Sequence, residues 1–442
     1  MKQFRIFIDG QELLTYTSAS LSRKKDDLTG ELNVEIFMSE VPQRPVNVDA
    51  SVSRQVTAYV GNRLVFVGNI DTRRGRPVQN RNKKGQYQTG VQGGGGTLTG
   101  RLGANGYQVT LSARGSTKYL IDSSHQHPTG TMLKTTNKAV LEELIKPWGV
   151  KLDWQATVVN MPVARFNDGG RVLDELRAVA NETCIFLYET RDGKLRAIDR
   201  PGAQMGDALI LGKNVLDFNA EQSESRANSK IVVKGQRSDP KIFGKDAVER
   251  IKVLKDNWVV SDIPLTIQFY GDATDENLER RGKFEADQRA RQAKEVTVEG
   301  FGILQESGEP WDVGTLHYTE IPPEGIFEVL ECTGVHYTVT GDELNTKITL
   351  GPPPSMSISG GAGSLGSAGL LGQAIPGLLD AMALGRARKQ QLGVTTRPGD
   401  FPLSWGSANL SIDIGQIVQQ VASNLLLQDV RTSPPDKITE RK

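Results

Sequence analysis

The chain has 442 residues, 53 Lys and Arg against 52 Asp and Glu, and two cysteines. That length exceeds what one hydrophobic core usually organises and points to roughly two to four domains. The near-zero net charge excludes a global pull toward nucleic acid or anionic membrane. Cys184 and Cys332, in separate strand-like runs without CxxC or zinc spacing, fit buried thiols of a reducing compartment.

Met1-Lys-Gln-Phe-Arg-Ile-Phe-Ile-Asp-Gly alternates like a strand and lacks the apolar run of a signal peptide, which predicts use without Sec export. Asp9-Gly10 offers a tight hairpin turn. Leu32, Val34 and Ile36 alternate after Thr29-Gly30, and Val56 to Val60 and Leu64 to Ile70 continue the pattern. A first β-domain, a small barrel over residues 1–115, is expected here.

Composition changes between Thr72 and Gly106. Arg73, Arg74, Arg76, Arg81, Lys83, Lys84 and Arg101 cluster without an acidic residue around the glycine run Gly93 to Gly96. So polar a stretch buries little surface, and residues 72–106 are expected as a mobile basic loop. Two readings stand side by side: a solvated excursion, or a surface for an acidic or phosphate-bearing partner. Only Tyr87 and Tyr107 are available to stack on bases.

Residues 116–220 mix helix and strand, the pattern of an α+β domain. Thr136 is placed to cap a helix carrying Val140, Leu141, Leu144 and Ile145 and ended by Pro147. A second helix follows Gly169-Gly170, and a hairpin turns at Arg191-Asp192-Gly193. Residues 221–351 read as a second β-barrel domain interrupted by a charged helix over 275–293. Its strands are placed at Val296–Phe301, Pro310–Leu316, Ile326–Thr340 and Thr346–Leu350, with turns at Gly300, Gly314, Gly325 and Gly341-Asp342. These strands are expected to lack the polar groups of an active site.

Residues 352–442 are expected to form a partly extended C-terminal tail with short helices. A Gly/Ser/Ala linker spans Ser355 to Gln373, an apolar face follows at Leu378, Leu379 and Met382, and Ile414, Ile417, Val418, Val421 and Leu425 recur at helical spacing as a docking stripe. The uncharged run Pro353 to Leu379 is long enough for a membrane span, but glycine and serine dominate it and Asp380 follows, so no span is expected.

No GxxxxGK[ST], HExxH or GxSxG occurs. His125 and His127 are the one local histidine pair, and His317 and His336 lie in remote strands, so a polar loop is the expected role of the pair. A glycosidase carboxylate pair is recognised by spatial separation, not by sequence. No catalytic, cofactor-binding or metal-binding residue is assigned. The partner-contact candidates are Arg73, Arg74, Arg76, Arg81, Lys83, Lys84, Arg101, Ile414, Ile417, Val418, Val421 and Leu425.

Four stretches together carry a resemblance: Asp26-Asp-Leu-Thr-Gly-Glu-Leu-Asn-Val-Glu-Ile with Arg63-Leu-Val-Phe-Val-Gly-Asn-Ile-Asp; Tyr107-Gln-Val-Thr-Leu-Ser-Ala-Arg-Gly-Ser-Thr-Lys-Tyr-Leu-Ile-Asp-Ser-Ser; Asn228-Ser-Lys-Ile-Val-Val-Lys-Gly-Gln; and Arg289-Ala-Arg-Gln-Ala-Lys-Glu-Val-Thr-Val-Glu-Gly with Pro310-Trp-Asp-Val-Gly. Over roughly residues 1–351 the chain resembles the baseplate hub proteins of contractile-tailed phages, especially the Mu type, which are related to the hub part of type VI secretion spikes. The resemblance implies a non-enzymatic homotrimer of two similar barrels per chain. Such a pseudo-sixfold ring joins a tail tube protein to a central spike protein, touches other baseplate proteins and the tape measure protein, and surrounds a channel through which DNA passes without specific binding. It implies a place in the virion tail baseplate after assembly in the host cytoplasm. The basic glycine-rich insertion is longer than the family's usual connection, and the tail beyond Pro354 has no counterpart in the family pattern. The rival readings are a hub component of a type VI or phage-tail-like bacteriocin spike, and a tail-associated cell-wall hydrolase.

Overall fold

The structure, a computed structural model, describes residues 4–38, 50–78, 106–167, 169–200, 204–224, 227–236, 250–255, 262–271, 273–300, 302, 304–341 and 343–354. The N-terminal part holds β1 Phe4–Ile8, β2 Gln11–Glu12, β3 Ser18–Lys24, β4 Glu31–Met38, β5 Gln55–Val60, β6 Arg63–Val78 and β7 Gly106–Gly115. Phe4, Ile6 and Ile8 are buried, as their period of two requires. Between β1 and β2, Asp9 (φ 48°) and Gly10 (φ 80°) are both left-handed, the requirement of a type I′ hairpin turn.

The middle part holds α1 Lys118–Asp122, β8 Thr131–Thr136, α2 Asn137–Ile145, β9 Leu152–Trp154, β10 Asn160–Arg165, α3 Val172–Thr183, β11 Phe186–Glu189 and β12 Leu195–Ile198. Thr136 caps α2 as its position predicts, with Oγ1 accepting from the Ala139 N–H at 3.2 Å. Pro147 lies in a 3-10 turn that follows the helix. Cys184 belongs to no strand: it is the left-handed C-cap of α3 (φ 58°), and β11 begins two residues later.

Then follow β13 Leu209–Ile210, β14 Val215–Gln222, β15 Lys230–Gly235, β16 Arg250–Lys255, β17 Pro264–Phe269, α4 Asp275–Ala293, β18 Lys294–Gly300, β19 Leu316–Ile321, β20 Ile326–Thr340 and β21 Glu343–Gly351. The helix expected over 275–293 has those bounds. The strand expected at Pro310–Leu316 is not there: the stretch from Trp311 to Thr315 is a turn with Gly314 at φ 86°, and the strand starts at Leu316. Proline brings no N–H to a ladder, and the left-handed glycine turns the chain.

The chain is mainly β with an α+β portion, in several sheets, none of which closes on itself among the described residues. The longest runs β14-β18-β21-β20-β3-β4-β7-β6-β5-β1-β2, with β19 on β20 and β13 on β19 off that path. Strands from both ends of the sequence thus share one sheet, joined where β3 pairs antiparallel with β20 from Ser18↔Thr340 to Lys24↔Gly334. The strands expected to make one second barrel divide: β18 to β21 enter the long sheet, whereas β16-β15-β17 form a sheet of their own against α4. Residue 220 lies inside β14, not between elements.

One apolar core accordingly spans both ends of the chain, with Phe4, Leu21, Leu32, Val298, Tyr337 and Ile348 in it. A second core gathers Leu120, Val140, Leu144, Leu176 and Ile185 in the middle part, and a third holds Ile231, Val233, Phe269 and Leu278.

Leu21 lies fully buried on β3, the strand that joins the two ends. Leu21→Ala is expected to cost about 2–5 kcal/mol of unfolding free energy, measured by denaturant titration.

Candidate functional site

Four stretches distant in sequence meet at a buried set of charges. Lys25 follows β3, Glu331 sits in β20, Arg291 in the last turn of α4, and Phe186, Tyr188 and Glu189 in β11. Lys25 Nζ donates to Glu331 Oε1 at 2.6 Å with both side chains essentially out of solvent, and Arg291 Nη1 lies 3.7 Å from Glu331 Oε2. Arg291 stands 4.1 Å above the Phe186 ring and Lys25 5.2 Å from it, so the aromatic face takes up part of the cationic charge. Two polar side chains, Glu331 and His317, are nevertheless fully buried in these strands. Alternating β-patterns assign a face, but a charged residue on the inner face is visible only once its partner from another segment is placed.

A neighbouring contact ties the middle part to β3. Arg23 donates to Asp312 Oδ1 at 2.8 Å and to the Glu189 carbonyl at 3.2 Å. The Glu189 carboxylate accepts from the Gly30 N–H at 2.7 Å and the Thr117 N–H at 3.1 Å. Burial raises the Glu189 carboxyl above the usual range against the pull of these donors. A Cβ at Gly115 would lie 1.9 Å from Glu189 Oε2, so a side chain there would have to displace this carboxylate from its donors. The cluster can hold three segments in one relative orientation, because each charge finds its counter-charge or donors in a different segment.

The basic candidates divide. Arg73, Arg74 and Arg76 are exposed on β6, not in a loop: β6 stays paired with β7 as far as Val78↔Gly106. Main-chain pairing does not depend on side-chain polarity, which is why a composition argument placed the loop too early. Arg76 donates through Nε and Nη2 to Gln108 Oε1 at 3.0 and 2.8 Å. Arg81, Lys83, Lys84 and Arg101 lie outside the described residues, as do Ile414, Ile417, Val418, Val421, Leu425 and the expected tail helices.

His125 Nε2 lies 2.6 Å from the Asn167 carbonyl, and the rings of His125 and His127 pack on Phe166 at 5.6 and 5.1 Å. No grouping of three or more His, Cys, Asp or Glu suited to a metal occurs among the described residues. Both cysteines are free and buried, and burial raises both thiols. His317 Nδ1 lies 2.9 Å from the Asp207 carbonyl and Nε2 2.7 Å from Thr315 Oγ1. Burial pushes it down to about 4.

Comparison with known proteins bears out the sequence resemblance. Residues 117–198 match the family described as "Baseplate hub protein gp44-like, second domain". The fold is shared with the prophage MuSo2 43 kDa tail protein of Shewanella oneidensis, at a TM-score of 0.64 and 18% identity over 79% of this chain and 97% of that one. It is shared likewise with a tail protein of Neisseria meningitidis MC58, at a TM-score of 0.60 and 16% identity over 79% and 96%. No curated protein sequence matches the chain significantly. No helix among the described residues is long and apolar enough to cross a membrane.

Glu331→Gln leaves Lys25 and Arg291 without their carboxylate and is expected to cost about 3–5 kcal/mol, read from denaturant midpoints. For His317 the native imidazole is neutral down to about 4, while the unfolded chain takes up its proton near 6.5. The unfolded state therefore binds more protons in that window. Stability is full above 6.5 and falls as pH drops toward 4, and His317→Gln is expected to flatten this slope in a series of thermal melts.

Proposed function

We propose that the chain is a structural hub of a phage tail baseplate: a homotrimer whose paired β-modules form a pseudo-sixfold ring between a tail tube protein and a central spike protein. The observation that carries this reading is the fold shared with two tail proteins over nearly their whole length, together with the hub-family match at residues 117–198. Symmetry supplies the physical rationale, since three chains with two comparable modules each offer six similar contacts to a sixfold tube and three to a spike. In this reading the ring surrounds the channel for genome passage, binds no DNA specifically, and carries no catalysis. It resides in the virion baseplate after assembly in the host cytoplasm.

The basic segment is assigned to a protein partner. A conducting bore should not grip phosphates, so Arg73, Arg74, Arg76, Arg81, Lys83, Lys84 and Arg101 are placed outside it, against a neighbouring tail or baseplate protein. The apolar stripe Ile414, Ile417, Val418, Val421 and Leu425 is placed on a partner or a sister subunit, because a stretch this short forms no large core alone.

The purified chain is expected to sediment at three chain masses, alone or once mixed with its spike, and persistence as a monomer in both conditions overturns the ring. The pair Val418→Asp and Val421→Asp is expected to abolish tail assembly. Unchanged assembly and solubility would remove the docking role of the stripe. Peptidoglycan incubated with the purified chain is expected to stay intact, and release of fragments would favour the hydrolase reading instead.

A further inference from the structure

The long sheet has two open edges, and they differ in charge. From Thr72 to Val78, β6 pairs with β7 on one side, whereas its ladder with β5 stops at Asn69, so among the described residues the other side of this stretch faces no strand. This edge is basic. Arg74 and Arg76 are exposed on it, and neither makes an ion pair among the described residues. At the far end of the sheet β14 pairs with β18, and past a single bridge of Val215 to Leu211 its outer side faces no strand among the described residues.

The β14 edge is acidic. Asp217 stands opposite Glu299 and Glu221 opposite Glu295, two like-charged pairs on neighbouring strands, and Lys347 lies 2.7 Å from Glu299 Oε1. Like charges set directly opposite weaken a ladder, so this edge carries a cost that cations from outside relieve. Register carried from strand to strand puts Asp217, Glu221, Arg74 and Arg76 on one face of the sheet. Along β14-β18-β21-β20-β3-β4-β7-β6 every neighbour is antiparallel, so β14 and β6 run in opposite directions. A second copy set with its β14 beside this β6 therefore continues both the alternation and the charged face.

We propose that the open half of β6 in one copy pairs antiparallel with β14 of the next, with Arg74 and Arg76 meeting Asp217 and Glu221. The inference deepens the ring reading and rests on it: the neighbour of these two arginines is the next copy of the chain. An open strand edge is a template for another strand, and charge decides which one. Setting β14 against β14 opposes carboxylates, and setting β6 against β6 opposes guanidinium groups, so the unlike edges are the complementary pair. A contact between unlike edges is heterologous, and it repeats around a ring where a contact between like edges would stop at a twofold dimer.

The test uses the full chain, alone and mixed with its spike, and reads self-association by sedimentation. Arg74→Glu and Asp217→Lys, both at exposed positions, are each expected to weaken it at least about tenfold, because like charges then face each other across the joint. The chain carrying both substitutions again sets opposite charges together and is expected to recover the wild-type mass, which also shows that neither change damages the fold. Wild-type chain that stays monomeric in both conditions overturns the ring reading and this pairing together. Wild-type chain that assembles while either single variant assembles equally well leaves the ring standing and overturns the pairing, with the charged edges then free for another tail protein. Failure of the doubly substituted chain to recover overturns the pairing as well.

Discussion

Two cations share one carboxylate at the point where three distant stretches of the chain meet, and the architecture depends on that arrangement. Removing Lys25, Arg291 and Glu331 from water costs several kcal/mol per ion before their mutual attraction is counted, so the cluster adds little net stability when complete. Its incomplete forms are much worse. A version of the fold in which α4 or β11 were displaced would leave a charge buried without its partner. The cluster therefore penalises wrong arrangements of the segments more than it stabilises the right one. The Glu189 carboxylate, held by the Gly30 and Thr117 N–H groups, repeats the same logic between the middle part and the first strands.

Around this point the long sheet gains its continuity. β3 lies between β4 from its own end of the chain and β20 from the other, and the core beneath them is common to both ends. The middle part, whose residues 117–198 match the hub family, is held to that sheet by Arg23, Glu189 and the stack of Arg291 on Phe186. In the proposed hub role, which depends on presenting surfaces at set angles, such fixed attachment is the relevant property, since packed interiors transmit displacement with little give. The exposed arginines of β6 stand on a paired strand, which holds them more firmly than an irregular loop would.

Much of the local structure was legible in residue order. Thr136 as a cap, the Asp9-Gly10 turn, the helix over 275–293 and the hairpin at Arg191-Asp192-Gly193 each follow from chemistry confined to a few neighbours. Less legible was β3. Its sequence, Ser-Ala-Ser-Leu-Ser-Arg-Lys, is too polar to announce a central strand, and Arg23 occupies an inward position that pattern reading reserves for apolar side chains. α4 misleads in a related way: Arg281, Glu285 and Arg291 are buried on it, so counting only Leu278, Phe284 and Ala286 underestimates the face that packs.

The order of residues by itself determined most of the elements, the mostly β character and the resemblance to tail hub proteins, because propensity, turn chemistry and period-two burial act over a few positions. Only the tertiary structure decided that the two ends of the chain share one sheet and that its inner strands carry buried charges. The physical reason is that a charge can enter an interior only with its counter-charge, and here the partners lie 306 residues apart in sequence, Lys25 against Glu331.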